Sequence, residues 1–512
     1  MRRMVRTLAG LGFLILAVSA PAACFRYEDD PLRCYECRGE PTGGGGGGGP
    51  NVPPPGCIPS ATSPGGSVSD DCGVFASATG SDSNQGTKDA PVATLAKAIA
   101  IAEKSSRRVY ACAEDLQGGA TVPAGFVIFG GLDCSSGWAY AGGSKPTRLV
   151  GAADQPALVL ASGPEKTRLE DVHVVAGDAA APGGSSIAVI AEGGEVELAR
   201  CTLEAGSAMA GADGQAFGEA AAPGVDGNPG GDACSAGTVL PGDAVVNDCG
   251  GGTESIGGTG GIGSAAAPSD GSTGLPESVD NGGAAEKVGS ACTDGLAGDA
   301  GMDGAPGAGG TGSGAIDSAG YTGVLGAPGM PGALGQGGGG GGGSKGGVGA
   351  GKCLDSTKAG GASGGSGASG GCGGAGGKPG GAGGSSVALI SLNAKLTFTG
   401  VSLIAKNGGD GGAGGPGQDG GPGGASGGPG GGVPAGVSLK PGCTGGPGGN
   451  GGRGGPGGNG SGGHSLGIAF TGPEPAIDGA MITVGQAGSG GMPADPMGAG
   501  AEGEAAPTLG FP

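Results

Sequence analysis

A sequence repeat whose two copies lie 200 residues apart constrains the fold of this chain more than any other feature. The first copy, residues 185–206, reads SSIAVIAEGGEVELARCTLEAG, and the second, from residue 385, reads SSVALISLNAKLTFTGVSLIAKNG. A unit this short cannot bury its own apolar face, so it must stack on neighbouring units. Weaker copies occupy residues 157–177 and 465–485. The matching apolar positions are Ile187 and Val387, Val189 and Leu389, Val196 and Leu396, Leu198 and Phe398, Cys201 and Val401, Leu203 and Leu403, and Ala205 and Ala405.

Apolar and polar residues alternate within the copies, as they do in a strand with one buried face. Inward positions are Leu198, Cys201, Leu203 and Ala205, and outward positions are Arg200, Thr202 and Glu204. Because Cys201 takes the inward position of Val401, we predict a buried free thiol there. Together with two coils before the repeats, the stack should contain about six coils and be roughly 30 Å long at the usual strand spacing.

The segments between the copies are rich in glycine and have a period of three. The chain contains 138 Gly and 37 Pro, about a third of its 512 residues, and most lie in residues 211–384 and 408–463. Residues 445–459 are five consecutive Gly-Gly-X triplets. Three residues per turn is the period of polyproline II, in which glycine permits close approach of chains. Two interpretations stay open, a bundle of polyglycine-II-like helices and disorder, while the short, interrupted runs disfavour collagen.

All these insertions follow the last strand of a repeat copy. They begin near Gly177, Gly206, Gly408 and Gly485. We therefore expect every insertion to leave the stack at the same edge.

The N-terminus has the pattern of an export signal. Three arginines precede the apolar stretch 8–18, which is too short for a stable membrane anchor. Residues 21–24 read PAAC and resemble a bacterial lipobox, which predicts lipidation of Cys24, although Pro21 stands where Leu is usual. Ordinary cleavage after Ala22 or Ala23 is the alternative. The following Gly heptad at 43–49 and the prolines at 53–55 predict a tether over residues 24–70.

Fourteen cysteines in an exported chain predict disulfides. Six precede the repeats and six lie in the glycine-rich segments, so each set can pair internally. Cys34 and Cys37 form a CxxC motif, but no second CxxC and no nearby His accompany them, which favours a local disulfide or two separate bridges over zinc.

Residues 73–112 contain a short strand, a polar turn, a predicted helix with Asp89 as its cap and Pro91 near its start, and the strand RVYAC. This stretch, with its TGSDSN and GT sequences and its Thr94-Leu95 and Ala98-Ile99 pairs, resembles the N-terminal cap of secreted bacterial proteins of the pectate-lyase-like, right-handed parallel β-helix family. The resemblance implies an all-β fold with a capping helix. It also implies that Cys112 and Cys134, about one coil apart, form a disulfide.

The glycine-rich tracts further resemble those of PE-PGRS-type surface proteins, although no PE-type domain is present. We also expect Trp138 and Tyr140 to cover the end of the cap region. The predicted organisation is a signal peptide (1–23), a tether (24–70), cap and first coils (71–208), a glycine-rich insertion (209–384), a coil (385–408), a second insertion (409–464), a last coil (465–490) and a flexible tail (491–512).

The net charge and the polar residues restrict the classes of function that the chain could have. A net charge of −20 with one Trp and five Tyr disfavours nucleic acid as a partner. Polysaccharide cleavage needs clustered carboxylates and a base. No outward column stacks two acids, including the column that begins with Glu170, which we expect to face solvent. We interpret the nearest group, Glu195, Glu197 and Glu204 with Arg200, as solvent-facing charge, and His173 and His464 lie on different coils. The Gly/Asp turns near Asp410 and Asp419 lack the pattern of calcium repeats.

We therefore predict no catalytic residue, no metal and no cofactor. The expected function is that of a non-catalytic, exported lipoprotein of the outer membrane or cell surface, with a structural or adhesive role. Its partner would be an extracellular or cell-wall glycan or another surface protein. The alternative is a carbohydrate-binding or polysaccharide-cleaving β-helix protein.

Overall fold

The computed structural model describes residues 53–54, 56–59, 68–426, 428, 430–492 and 498–512. Strands predominate over this part of the chain, which has one α-helix, α1 (Leu95–Ala102). The strands in chain order are β1 (Val74–Ala76), β2 (Arg108–Cys112), β3 (Asp115–Gln117), β4 (Ala120–Val122), β5 (Val127–Asp133), β6 (Ala139–Tyr140), β7 (Thr147–Val150), β8 (Leu158–Leu160), β9 (Thr167–Glu170), β10 (Val172–Val175), β11 (Ser186–Ala191), β12 (Glu195–Ala199), β13 (Thr202–Glu204), β14 (Thr238–Val239), β15 (Val246–Asp248), β16 (Glu254–Ile256), β17 (Gly263–Ser264), β18 (Ala315–Asp317), β19 (Gly320–Thr322), β20 (Ser386–Leu392), β21 (Lys395–Thr399), β22 (Val401–Ile404), β23 (Ser465–Thr471), β24 (Ala480–Thr483) and β25 (Ala505–Gly510).

Three parallel sheets form the body of the protein, which we call the three-sheet body. Sheet A has the order β1-β2-β5-β9-β12-β21, sheet B the order β24-β22-β13-β10-β7-β3, and sheet C the order β25-β23-β20-β11-β8-β4. The chain visits A, B and C in the same cyclic order, for example through β9, β10 and β11. Each of these paths contains six strands.

The repeat copies lie side by side in the register that the sequence predicts. Ile187 is opposite Val387, Leu198 is opposite Phe398, and Leu203 is opposite Leu403. Strand β13 is therefore the neighbour of β22, although residues 205–385 separate β13 from β20 in the chain. The alternation of apolar and polar residues fixes the register of these pairs, because a shift by one residue would turn every apolar side chain outward.

The main core lies between the three sheets. It combines residues from all of them, such as Leu169 in sheet A, Val174 in sheet B and Val189 in sheet C, each buried. Helix α1 adds Leu95 and Ile99 to the same cluster and contacts β1, β2 and β4. The helix thus covers the apolar end of the first coils.

The predicted start of this helix is wrong. Its N-cap is Thr94, whose side chain accepts a hydrogen bond from the amide of Lys97, not Asp89. Residues before it stay extended because Val92 pairs with Ala76 and the Asp82 carboxylate accepts the amide of Ala93 at 2.9 Å.

A second cluster covers the outer face of sheet A and corrects the predicted tether. Trp138 packs edge-on against Phe75, and Tyr110 stacks on Phe75, so the expected covering role of Trp138 is met. Cys57 and Val68, inside the predicted tether 24–70, are buried in the same cluster. The end of that segment therefore belongs to the packed structure, because a disulfide between Cys57 and Cys72 holds it there.

The prediction of a flexible tail over residues 491–512 is also wrong at its end. Strand β25 pairs with β23 as a further parallel strand of sheet C. Phe511 is buried against Ile187, Val387 and Leu466 on the outer face of that sheet. The sequence does not signal this strand, because the strand alternates small residues and contains Pro507. Proline is tolerated in an edge strand.

The insertions leave the body at one corner, as predicted. Those after β10, β13, β22 and β24 all connect sheet B to sheet C. The hydrogen-bond ladder continues into them, since the amide of Ala179 donates to Ser207 and the amide of Ala208 donates to Asn407.

Six long glycine-rich tracts, together with the shorter tracts 256–262 and 281–285, are joined by backbone hydrogen bonds at every third residue. The long tracts are residues 209–231, 293–310, 326–343, 361–384, 409–431 and 442–463. We call this part the glycine-rich arm. The amides of Gly371, Gly374, Gly377 and Gly380 donate in turn to Gly449, Gly452, Gly455 and Gly458. The three-residue period of the sequence is therefore the period of contact between neighbouring tracts.

The number of buried faces decides how much glycine a tract requires. At successive positions from Gly337 to Gly343, an added Cβ would collide with carbonyl oxygens of three different neighbouring tracts in rotation, and all seven residues are buried. In residues 445–459, two of every three positions face neighbours, and the third carries Pro447, Asn450, Arg453, Pro456 or Asn459. A poly-Gly run thus marks the centre of the arm, and Gly-Gly-X marks its surface.

Five disulfides join residues of this structure, and they match the two even sets expected from the sequence. The predicted Cys112–Cys134 bridge is present, and Cys57 pairs with Cys72. Three bridges lie in the glycine-rich arm, namely Cys234–Cys353, Cys249–Cys372 and Cys292–Cys443. Cys201 is free and buried, as predicted. Cys24, Cys34 and Cys37 lie outside the described residues.

Candidate functional site

The corner between sheets A and B brings together the densest group of charged side chains in the three-sheet body. Four successive turns there pass through one residue in the left-handed backbone region, namely Asp171 (φ 53°), Arg200 (φ 52°), Gly400 (φ 63°) and Gly479 (φ 81°). Glycine adopts this conformation freely, whereas other residues are strained in it. The two non-glycine residues are therefore stacked on each other.

Arg200 and Asp171 form a two-pronged ion pair across adjacent coils. The Nε atom of Arg200 donates to Oδ1 of Asp171, and Nη2 donates to Oδ2, both at 2.9 Å. The hydroxyl of Tyr140 donates to Oδ2 at 2.8 Å. Hydrogen bonding to Asp171 raises the pKa of Arg200, and burial followed by that hydrogen bond raises the pKa of Tyr140.

Glu170, which the outward column of the sequence placed in solvent, is buried with only 3% of its surface exposed. It pairs with Nη2 of Arg200 at 3.1 Å and with Arg168. The two guanidinium groups lie over it, which explains why the expected exposure is wrong. Sequence alternation alone could not reveal this burial, because the covering groups come from its own strand and from the next coil.

The charged groups of this corner pair with one another. Both carboxylates accept hydrogen bonds from guanidinium groups, and the Arg200 side chain is shared between them. Acid–base catalysis requires a group that can exchange a proton with a substrate within hydrogen-bond reach. Here the charged groups pair with one another. We call these ion pairs, which join neighbouring strands at the corner, the clamp.

The acids singled out from the sequence are dispersed along the outer surface. Glu195 pairs with Lys395 at 2.6 Å, Glu197 with Arg168 at 3.1 Å, and Glu204 with His173 at 3.1 Å. Lys395 lowers the pKa of Glu195, chiefly through its hydrogen bond. Each acid faces a basic group on an adjacent coil, so the structure does not assemble Glu195, Glu197, Glu204 and Arg200 into one site.

The second histidine, His464, is a packing residue. It lies edge-on to Tyr321 and Phe511, and burial lowers its pKa. Its Nε2 is 2.9 Å from the carbonyl oxygen of Ser313, and its Nδ1 accepts the amide of Glu504 at 2.9 Å. Both ring nitrogens are therefore occupied, and His173 lies elsewhere.

Asp side chains throughout the arm bind backbone amides of neighbouring tracts. Hydrogen bonds of 2.6–2.7 Å run from the amides of Ala413, Ala425 and Gly432 to the carboxylates of Asp213, Asp226 and Asp232, respectively. The carboxylates of Asp294 and Asp303 likewise accept hydrogen bonds from the amides of Thr444 and Arg453. Each of these carboxylates thus accepts a hydrogen bond from an outward-facing amide that has no carbonyl partner in a neighbouring tract. The acidity of the chain thus has a structural use that the sequence did not indicate.

The aspartates of the Gly/Asp turns, Asp410 and Asp419, also have protein partners. Asp410 accepts the amide of Ser489 at 2.7 Å, and Asp419 pairs with Arg453 at 3.1 Å. Within the ranges that the structure describes, no group of three or more His, Cys, Asp and Glu side chains could hold a metal ion.

Cys201 offers no reactive thiol at neutral pH. It is fully enclosed in the core, and burial raises its pKa to about 12. Since the thiolate is the reactive form, this residue behaves as a small apolar side chain.

Comparison with protein-family models, with curated proteins and with solved structures finds no match to this chain. Among the described residues, no helix is long and apolar enough to cross a membrane.

Proposed function

We propose that this protein is a non-catalytic, exported lipoprotein that presents a rigid glycine-rich arm, with a structural or adhesive role at the outer membrane or cell surface. The observation that carries the proposal is the continuous hydrogen bonding of the six tracts at every third residue. A long, ordered arm without a reactive group suits presentation or contact rather than turnover.

The three-sheet body would be a right-handed parallel β-helix. Three observations support this fold. The chain passes through sheets A, B and C in a repeating order, the core lies between the sheets, and the helix covers one end. The TGSDSN cap sequence adds the resemblance to pectate-lyase-like proteins. A fold of this kind hosts many functions, so the site has to decide the activity.

The arm would be a bundle of polyglycine-II-like helices. The supporting observation is that successive residues from 337 to 343 face three neighbouring tracts in turn, with a period of three residues. At about 3.1 Å per residue, the tract of residues 409–431 would extend roughly 70 Å from the three-sheet body. Such a length would separate the outer end of the arm from the three-sheet body.

Export and anchoring rest on two features of the chain. Five disulfides, three of which close loops of more than 100 residues, favour an oxidising compartment. Cys24 follows a short apolar segment at the distance of a lipobox cysteine. Acylation there would leave the body attached through residues 25–56.

Metabolic labelling with an alkyne fatty acid tests the anchor. We expect the wild-type chain to incorporate the label, the Cys24→Ser variant to lose it, and the control variant Cys201→Ala to keep it. With a membrane-impermeant reductant present to open the bridges of the arm, protease treatment of intact cells should then release peptides of residues 211–384. Labelling that survives Cys24→Ser would refute the anchor, and release only after lysis would place the protein inside the envelope and refute surface display.

A polysaccharide-binding or polysaccharide-cleaving protein is the alternative, because charged residues such as Glu197 and Arg168 line the outer face of sheet A. Their mutual pairing argues against it. Release of unsaturated sugar ends from an acidic polysaccharide, abolished by Glu197→Ala or Arg200→Ala, would support the alternative over the structural role.

A further inference from the structure

Five loops meet at the end of the glycine-rich arm farthest from the three-sheet body. Ser264 of one of them, the uncharged loop of residues 264–268, pairs with Lys345 of another. The other four, which we call the distal loops, are residues 232–240, 286–291, 345–359 and 432–441. The bridge Cys234–Cys353 joins the first to the third. Lys440 pairs with Glu286 at 3.3 Å, which joins the fourth to the second. The amide of Ser438 donates to Gly351 at 2.6 Å and joins the fourth to the third. The loops therefore form one connected surface.

The opposite end of the arm is fixed by different contacts. The hairpin β18–β19 connects tracts 293–310 and 326–343 there, and its Tyr321 packs against His464 and Phe511 of the body. Because those tracts run between this hairpin and the distal loops, the two ends are separated by their length.

The distal loops are basic although the chain is acidic. They contain five lysines and only three acids, Asp232, Glu286 and Asp355. Glu286 is engaged by Lys440, and Asp355 caps the turn at Thr357 through its amide and hydroxyl. The lysines, all exposed, are Lys287, Lys345, Lys352, Lys358 and Lys440.

The same loops expose the most solvent-accessible aliphatic side chains of the described chain. Leu354 is 97% exposed and Val288 is 96% exposed, while Leu240 and Val348 are also exposed. Val288 lies next to Lys287, and Leu354 lies between Lys352 and Lys358. Aliphatic and cationic side chains therefore alternate on the same turns.

We propose that the distal loops bind the surface of an anionic phospholipid bilayer. Lysines near such a surface are attracted to its headgroups, and aliphatic side chains enter the boundary between headgroups and acyl chains. A bilayer supplies both the negative charge and the apolar layer. An acidic polysaccharide would satisfy the lysines but leave Val288 and Leu354 in water, so it fits the loops less well.

Vesicle flotation of the full chain tests this binding. The Cys24→Ser background removes the predicted acyl chain, so that any binding comes from the folded protein. We expect flotation with vesicles of phosphatidylglycerol and phosphatidylcholine, none with phosphatidylcholine alone, and weaker binding at high salt because screening reduces the attraction. Charge reversal by Lys287→Glu, Lys352→Glu and Lys358→Glu together should weaken binding by about tenfold or more.

Matched variants separate the distal loops from general charge and apolarity. Lys104→Glu with Lys145→Glu makes the same kind of change on the three-sheet body, and Met302→Asp removes an exposed apolar side chain from the flank of the arm; both should bind as before. Val288→Asp with Leu354→Asp should lose binding. Equal binding by the loop variants and their controls, no flotation at all, or binding to an acidic polysaccharide but not to vesicles would each overturn the proposal, whatever the outcome at Cys24.

Discussion

At the residue scale, Arg200 combines an unfavourable backbone with favourable side-chain pairs. Its φ of 52° lies in the left-handed region, where Gly400 and Gly479 stand on later coils, and such a conformation costs a non-glycine residue about 1 kcal/mol. Its guanidinium group in return holds the buried carboxylates of Asp171 and Glu170. The ion pairs explain why arginine can occupy a position that suits glycine.

Replacing Arg200 separates these two contributions. Arg200→Ala keeps the backbone strain and leaves buried acids unpaired, so we expect a loss of about 3 kcal/mol in the free energy of unfolding. Arg200→Gly should lose about 1 kcal/mol less, because glycine relieves the strain. Urea unfolding measures both, and Lys395→Ala, which breaks an exposed pair, should cost less than about 1 kcal/mol. Equal losses in all three variants would show that the clamp adds no stability.

The Asp side chains of the arm make a second prediction at this scale. Asp213→Ala removes the acceptor of the Ala413 amide, whereas Asp213→Asn retains a side-chain oxygen at that position. We expect faster hydrogen exchange in residues 409–425 for Asp213→Ala, corresponding to about 1 kcal/mol of local opening, and a smaller change for Asp213→Asn. Glu103→Ala serves as a charge-matched control. Unchanged exchange in Asp213→Ala would mean that water replaces the carboxylate without loss.

At the scale of elements, the three-residue period predicts which glycines tolerate a side chain. Gly340 is buried, and a Cβ there would collide with the carbonyl oxygen of Thr259, so Gly340→Ala should separate neighbouring tracts and lower the thermal midpoint. Met330→Ala, at an outward third position of the same tract where the side chain is 59% exposed, should leave the midpoint nearly unchanged. Calorimetry of both variants is the measurement. A harmless Gly340→Ala would contradict the close packing of the arm.

The sequence predicted those elements whose pattern is local and periodic. The register of Ile187 with Val387 followed from the sequence repeat. The three-residue period of the tracts also came from the sequence, which left open whether they pack together or are disordered. It failed where distant segments decide the outcome. Burial of Glu170 depends on Arg200 of the next coil, and Phe511 is buried by a strand pairing that its own sequence does not signal. The pairing of the arm cysteines could not be read either, since six cysteines permit fifteen connectivities.

At the scale of the whole molecule, the two parts of the protein are held together by different forces. The three-sheet body has an apolar core in which Leu169, Val189 and Leu203 are fully buried. The arm buries mostly glycine, which contributes no apolar side chain and loses the most conformational entropy on folding. Its bridges close loops of 119, 123 and 151 residues, and loops of this length gain the most from cross-linking, up to about 4–5 kcal/mol each.

Reduction should therefore act on the arm first. With a membrane-impermeant phosphine reductant, we expect limited proteolysis to cut within residues 206–384 and 406–464 while residues 68–205 persist, because the apolar core does not depend on the arm bridges. The double variant Cys249→Ser with Cys372→Ser should show part of this sensitivity without reductant, and Cys201→Ala, which keeps every bridge, should behave as the wild type. Simultaneous digestion of both parts would show that the body depends on the arm, and resistance of both would show that hydrogen bonds between glycine tracts hold the arm without its disulfides.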